Sequence, residues 1–327
     1  MTKIKVSAPS RIHMGILNPA RSTGRRLYGS VGVGIEAPRT EVEAEPSSSL
    51  EVTGQSAVES KAVAQKVLYR YKLKAAKISV LSVPQRHTGL GSTTQLSLSI
   101  AKAVTCAYGL DIKPVELATT LGRGRQSAVG TYVFQHGGFV ADAGWGEETT
   151  FPPLLFHHPF PREWRFLIII PRKRGLDETQ EIEAFEKIQP PGADLVNEAC
   201  FRLLLGMVPA VVEKNIREFG ESLSRLQEIV GTFFSQAQDG MFRPGSTPII
   251  QKLKEMGAAG FGQSSWGPAI YGLFEEKKSG SVENLLRNEI LYADTVEESA
   301  GNLCGDSEWG RLYFTRSDNR GAIVKEL

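Results

Sequence analysis

Three observations predict an α+β fold for this 327-residue chain. Short strand-like segments alternate with a few helices over the first 160 residues. The second half is rich in helical periodicity. Near residue 90, a strand, a glycine loop and an apolar helix follow one another directly. A chain of this length is long for one hydrophobic core, so two packed halves or one large mixed domain are expected.

In chain order, Lys3 to Ser7, Thr40 to Glu45, Leu50 to Thr53 and Lys77 to Val83 alternate polar with apolar residues or are rich in β-branched ones, which predicts strands. Between the last two, Val58 to Tyr71 has helical spacing. Leu96, Ile100, Ala103, Val104 and Ala107 recur as one helical face that ends near Tyr108-Gly109, and Pro114 to Leu121 predicts a further helix stopped by Gly122. The prolines at 152, 153, 159 and 161 interrupt the pattern, and a boundary is placed near residue 162. Beyond it, Phe166 to Ile170 reads as a buried strand. Asp194 to Met207, Val211 to Leu226, Pro248 to Met256 and Ser281 to Tyr292 read as helices, with Ala269 to Phe274 and Arg311 to Thr315 as strands.

Composition narrows the function. With 38 basic and 36 acidic side chains the formal charge is +2, which supplies no general attraction to nucleic acid or an anionic membrane, so any anion must be bound locally. Apolar runs such as Phe166 to Ile170 are far short of the roughly 20 residues that cross a bilayer. Cys106, Cys200 and Cys304 lie far apart without a Cys-x-x-Cys pair, a pattern that fits reduced thiols in a cytoplasm rather than a zinc site or a disulfide framework.

The segment Val83-Pro84-Gln85-Arg86-His87-Thr88-Gly89-Leu90-Gly91-Ser92-Thr93-Thr94-Gln95 carries most of the chemistry. Gly89 and Gly91 allow a tight turn and close approach to a ligand. Ser92, Thr93 and Thr94 place hydroxyls beside the unpaired amides of a helix start, where the helix dipole also favours an anion. The plainer reading is an ordinary N-cap after an ordinary turn. No Gly-x-x-x-x-Gly-Lys-Ser/Thr sequence occurs, which excludes a Walker-type loop.

Pro84 to Gln95 resembles the phosphate loop of the GHMP kinases. Ala8-Pro9-Ser10-Arg11-Ile12-His13-Met14-Gly15 resembles their first motif, and Gly257 to Ser265 their glycine-rich third. In detail the chain is similar to one branch, the archaeal β-ribofuranosylaminobenzene 5'-phosphate synthases of methanopterin biosynthesis. The likeness runs through Gly91 to Gln95, Gly122-Arg123-Gly124-Arg125-Gln126-Ser127, His136-Gly137-Gly138-Phe139, Pro152 to Leu155 and Gly262-Gln263-Ser264-Ser265-Trp266-Gly267-Pro268.

That resemblance implies two α+β lobes with a ligand cleft between them: residues 1–162 with a left-handed βαβ crossover, and residues 163–327 as a ferredoxin-like lobe. It implies that phosphoribosyl pyrophosphate joins 4-aminobenzoate or 4-hydroxybenzoate, with loss of carbon dioxide and pyrophosphate and with Mg2+ accompanying the pyrophosphate. Arg11, His13 and Arg125 are the expected catalytic side chains. Gly89, Leu90, Gly91, Ser92, Thr93, Thr94, Gln95, Arg123, Ser127, Gly262, Gln263, Ser264 and Ser265 are expected to bind substrate or phosphate, and Asp142 is a candidate metal ligand.

Each has a duller reading. His13 could be a core histidine, Arg123 and Arg125 a solvated turn, Asp142 the cap of the Gly144 turn, His157-His158 a surface pair, and Trp266 a packed indole rather than a stacking platform. Gln95 stands where the kinases usually carry a small apolar residue, and no counterpart of their aspartate base is evident, so an ATP-dependent small-molecule kinase is the alternative. A binding protein without catalysis is a third reading. Nothing in the sequence counts subunits, and a homodimer is compatible with it.

Overall fold

The structure is a computed structural model that describes residues 2–20, 26–172 and 178–327. Of the basic run Arg172-Lys173-Arg174, the last two lie outside the described residues.

Two long strands, β1 (Ile4–Asn18) and β2 (Tyr28–Pro46), pair antiparallel and form the backbone of a seven-stranded sheet. β2 is far longer than Thr40 to Glu45. Its first half, Tyr28-Gly29-Ser30-Val31-Gly32-Val33-Gly34, is rich in glycine, which weakens local strand propensity but is required where Gly32 meets Ile12 O and Gly34 meets Asp318 O. β3 (Glu51–Gly54), α1 (Ala57–Arg70) and β4 (Ala76–Ser82) follow; β3 and β4 are parallel and joined by α1. The glycine loop then leads into α2 (Ser92–Ala107), whose Leu98, Ile100, Ala101, Ala103 and Val104 are buried against this sheet. After α3 (Pro114–Thr120) comes α4 (Val129–His136), then the hairpin of β5 (Phe139–Asp142) and β6 (Leu154–His158), with β5 also pairing with β2.

A second sheet of six strands follows. It opens with β7 (Trp164–Ile170), which is buried along its whole length as its apolar run predicts. The helices come next: α5 (Glu178–Lys187), α6 (Ala193–Phe201) continued by a π-helical turn at Arg202–Met207, α7 (Val208–Glu213), α8 (Ile216–Gln238) and α9 (Ser246–Glu255). The remaining elements are β8 (Gly260–Gln263), β9 (Ile270–Glu275), α10 (Glu276–Leu285), β10 (Glu297–Ser299), β11 (Asn302–Ser307) and β12 (Gly310–Arg316). In space β12, β7, β9 and β8 are neighbours in that order and antiparallel, which is the ferredoxin-like arrangement. The last strand, β13 (Ile323–Glu326), leaves this sheet and pairs with β1 at the edge of the first.

Two expectations are corrected. Val211 to Leu226 is not one helix: Lys214 takes a left-handed conformation at φ 59°, and Asn215 caps a new helix by accepting the Glu218 amide at 3.2 Å. That new helix runs on to Gln238. The apolar runs are also longer than expected, since Ala193–Glu213 is long and apolar enough to cross a bilayer. Its Ala199, Leu203, Met207, Ala210 and Val211 pack in the protein core, while Phe201, Leu204, Leu205 and Val212 are exposed.

Candidate active site

A cavity of about 350 Å³ opens where β1, the start of α2, the α3–α4 loop, α5 and the β8–β9 turn converge. Arg11 and His13 reach it from β1, Lys66 from α1 and Glu181, Ile182 and Phe185 from α5, with Ser265 and Trp266 contributed by the turn.

The glycine loop is fastened on both sides. The Arg11 amide donates to Leu90 O at 3.1 Å, and the Arg11 guanidinium donates to the Gly89 carbonyl. Ser264 Oγ donates to the same carbonyl at 2.6 Å while accepting the His13 amide at 2.9 Å. One hydroxyl therefore ties β1, the loop and the second sheet together. Gly89 has φ +88°, and a Cβ there would lie 2.1 Å from Ser264 O, so only glycine fits. Gly91, at φ +76°, precedes the helix without any side-chain cap, and the first helical bond is Gln95 N to Gly91 O at 3.0 Å. The amides at Ser92, Thr93 and Thr94 thus precede the helical ladder, and all three residues line the cavity, an arrangement suited to an anion.

The α3–α4 loop, which carries Arg123, Arg125, Gln126 and Ser127 into the cavity, is held from behind. Trp145 Nε1 donates to Gly124 O at 3.1 Å. Asp142 is fully buried: its Oδ2 accepts from Ser30 Oγ at 2.6 Å and Ala128 N at 3.0 Å, and its Oδ1 accepts from Gly144 N at 2.9 Å. Three donors occupy the carboxylate away from the cavity. The Gly144 turn is indeed capped, and the expected metal ligand is instead an anchor for the residue next to Ser127. Burial pushes its pKa up despite those donors.

Of the predicted site residues, Arg11, His13, Gly89, Gly91, Ser92, Thr93, Thr94, Arg123, Arg125, Ser127 and Ser265 line the cavity. The others do not. Leu90 is a fully buried core residue, and Gln95 Nε2 donates to Gly130 O at 2.8 Å, clamping α2 to α4. Gly262 is glycine because Gln227 packs 2.5 Å from where its Cβ would be. Gln263 holds the turn from inside, accepting Arg243 N at 2.9 Å and donating to Ser265 O at 3.1 Å, while Ser264 acts through the loop it fastens. His87 and Trp266 also line the cavity, as do Lys66, Ile16, Glu181, Ile182 and Phe185. These last five carry no motif; Lys66 reads in sequence as an ordinary charged helix residue, and no element is predicted over Glu181 to Phe185.

The cavity is basic, with Arg11, Lys66, Arg123 and Arg125 against one carboxylate, Glu181, among the described lining residues. Burial pushes Arg11 down to about 10, opposed by the attraction of Glu181, so it is still charged at neutral pH. Burial, and then the Arg11 charge, push His13 well below its usual range, leaving a neutral imidazole. Phe185 meets Trp266 edge-on at 5.3 Å, and Trp266 stacks on Phe234 at 4.0 Å; Trp266 is 1% exposed, a packed indole as the duller reading had it, so this aromatic wall shows the cavity mainly Phe185. Among the described residues no group of three or more His, Cys, Asp or Glu is placed to hold a metal ion.

The fold is that of the GHMP kinase superfamily. Its C-terminal family, described as GHMP kinases C terminal, matches residues 207–288. Homoserine kinase from Cytophaga hutchinsonii superposes with a TM-score of 0.71 at 16% identity, covering 99% of this chain and 98% of that one. Mevalonate kinase from Methanococcus jannaschii gives a TM-score of 0.66 at 15% identity, covering 96% and 98%. At those identities the likeness speaks for the fold. Sequence likeness is closer to the β-ribofuranosylphenol 5'-phosphate synthases. The protein of that name from Archaeoglobus fulgidus is 32% identical over 98% of this chain and 99% of its own length, and that from Methanothermobacter thermautotrophicus is 32% identical over 98% of each. The chain belongs to the β-ribofuranosylphenol 5'-phosphate synthase family.

Proposed function

We propose that this protein joins phosphoribosyl pyrophosphate to 4-hydroxybenzoate or 4-aminobenzoate, releasing pyrophosphate and carbon dioxide and leaving a C-ribosyl arene 5'-phosphate. The observation that carries this reading is that one cavity holds both a helix-start anion site and an aromatic wall. A donor with two phosphate groups and a flat acceptor need both. The product named for the relatives is a ribosyl phenol phosphate, which matches the hydroxybenzoate arm.

In this reading the amides and hydroxyls at 92 to 94, with Arg123 and Arg125, grip phosphate oxygens and stabilise the charge gathering on departing pyrophosphate. Arg11 supplies a forked cation for the acceptor carboxylate or a phosphate. Neutral His13 contributes a hydrogen bond without adding charge. Magnesium would accompany the pyrophosphate of the substrate and offset its charge; among the described residues no cluster of carboxylates is placed to hold it. The bound pair is held in attack geometry, which is the main source of rate.

The test is product release. Pyrophosphate and carbon dioxide should both appear from phosphoribosyl pyrophosphate plus either benzoate with magnesium, and neither should appear in an ATP-only control. Ser92→Ala should raise the KM for phosphoribosyl pyrophosphate by roughly tenfold, the value of a lost charge-assisted hydrogen bond of about 1.5 kcal/mol. ADP formation without pyrophosphate would replace this reading with a kinase.

A further inference from the structure

The cavity contains one feature that anion binding does not explain. Glu181 is the one carboxylate among the described residues that line it, and it faces a surface otherwise rich in cations. Its charge supports that of buried Arg11, and it also places a proton acceptor at the cavity. Its surroundings point to the acceptor ring. Glu181, Ile182 and Phe185 come from adjacent turns of α5, and the Phe185 ring meets Trp266 edge-on at 5.3 Å. The carboxylate therefore projects from the same helix as the aromatic wall, and its charge is felt by Arg11, which is fastened beneath the glycine loop. It lines the same cavity as the anion-facing helix start and Phe185.

Resting on the reaction proposed above, we propose that Glu181 takes the proton from the ring hydroxyl of a 4-hydroxybenzoate acceptor as the carbon–carbon bond forms, and returns it as carbon dioxide leaves. The step balances as follows. The bond from ribose C1 to the pyrophosphate oxygen breaks, and its electron pair leaves with pyrophosphate. The ring carbon bearing the carboxylate bonds to C1, drawing electron density from the hydroxyl oxygen opposite. The hydroxyl proton passes to the Glu181 carboxylate, so the intermediate is a neutral dienone rather than a strongly acidic cation. The bond to the carboxylate carbon then breaks, its electron pair restores the aromatic ring, and the ring oxygen recovers the proton from Glu181.

The amino acceptor differs in one respect. Its nitrogen carries the positive charge of the intermediate as an iminium group, and no proton has to leave. A base at this place therefore matters more for the hydroxy acceptor than for the amino one. His13 and His87 also line the cavity; a proton placed on His13 would put a second cation beside Arg11 in a buried site.

The experiment compares wild-type protein with Glu181→Gln and Glu181→Asp, using both acceptors and following pyrophosphate and carbon dioxide. Expected is a fall in kcat for 4-hydroxybenzoate of about 100-fold in Glu181→Gln, the scale of a lost general base, and at least about tenfold larger than the fall for 4-aminobenzoate. Glu181→Asp should recover part of the loss. The residual hydroxybenzoate rate of Glu181→Gln should climb at alkaline pH, as the hydroxyl ionises without help, more steeply than that of wild type. Equal losses with both acceptors would overturn the proposal and assign Glu181 to the ribose or to the fold. Retained hydroxybenzoate turnover, or a wild type that uses only 4-aminobenzoate, would overturn it too while leaving the synthase reading intact. If wild type accepts only 4-hydroxybenzoate, the alkaline recovery and the Asp rescue decide. Failure of wild type with both acceptors would sink the synthase reading itself.

Discussion

Asp142 shows how much a single buried side chain can do at a distance from the chemistry. Its three hydrogen bonds connect β2, the start of α4 and the Gly144 turn, so it fixes where the α3–α4 loop ends and Ser127 begins to face the cavity. An amide in its place must turn an N–H toward a donor at one oxygen position. Asp142→Asn should therefore destabilise the protein by about 1–3 kcal/mol, seen as a lower urea midpoint. The dependence of turnover on magnesium should be unchanged; a large shift there would restore Asp142 as a metal ligand. The sequence raised both roles for this aspartate. The choice depended on Ser30, distant in the chain and brought to it by the pairing of β2 with β5, and on Ala128 at the start of α4.

At the scale of elements, the loop between β4 and α2 is stable because the second sheet's turn at 264 to 269 supports it. The Ala269 amide donates to Thr88 O at 3.1 Å, and Gly267 and Gly89 pack backbone to backbone. Gly89→Ala should remove turnover and lower stability, because it forces a left-handed residue with a side chain against Ser264 O; wild-type kinetics in that variant would refute the close approach. The strand, glycine loop and helix were legible in sequence, since glycines, hydroxyls and a 3.6-residue apolar period are local signals. The roles within the loop were less so. Leu90 and Gln95 sit amid the anion site in sequence but turn into the core, because successive residues of a helix start face different directions. The break at Lys214-Asn215 was missed because apolar spacing continues across it, although Asn215 is a good cap residue.

For the whole molecule, histidines couple folding to pH. Burial and the Arg11 charge lower His13, and partial desolvation lowers half-buried His136 and exposed His157 to a smaller extent. An unfolded histidine binds its proton near the ordinary value of 6.5, whereas these native ones resist it. Stability from this source is therefore complete above that value and is lost as pH falls below it. The denaturant midpoint should drop between about pH 7 and pH 5.5, and His13→Gln should flatten the slope; an unchanged slope would mean that His13 is accessible to protons in the native state.

The sequence by itself determined the fold class, the strand, glycine loop and helix start near residue 90, about half of the regular elements near their observed bounds, and the motifs that single out the family. All of these depend on neighbours along the chain: periodicity, glycine conformations and hydroxyls beside free amides. Tertiary structure decided which of the candidate residues share a cavity, that Asp142 supports rather than binds, that β13 returns to the first sheet, and that Lys66, Glu181 and Phe185 belong to the site. Those outcomes turn on contacts between separate elements, some of them more than a hundred residues apart, and no local pattern records which of several charged or aromatic residues on a helix will face the cleft once the two sheets close around it.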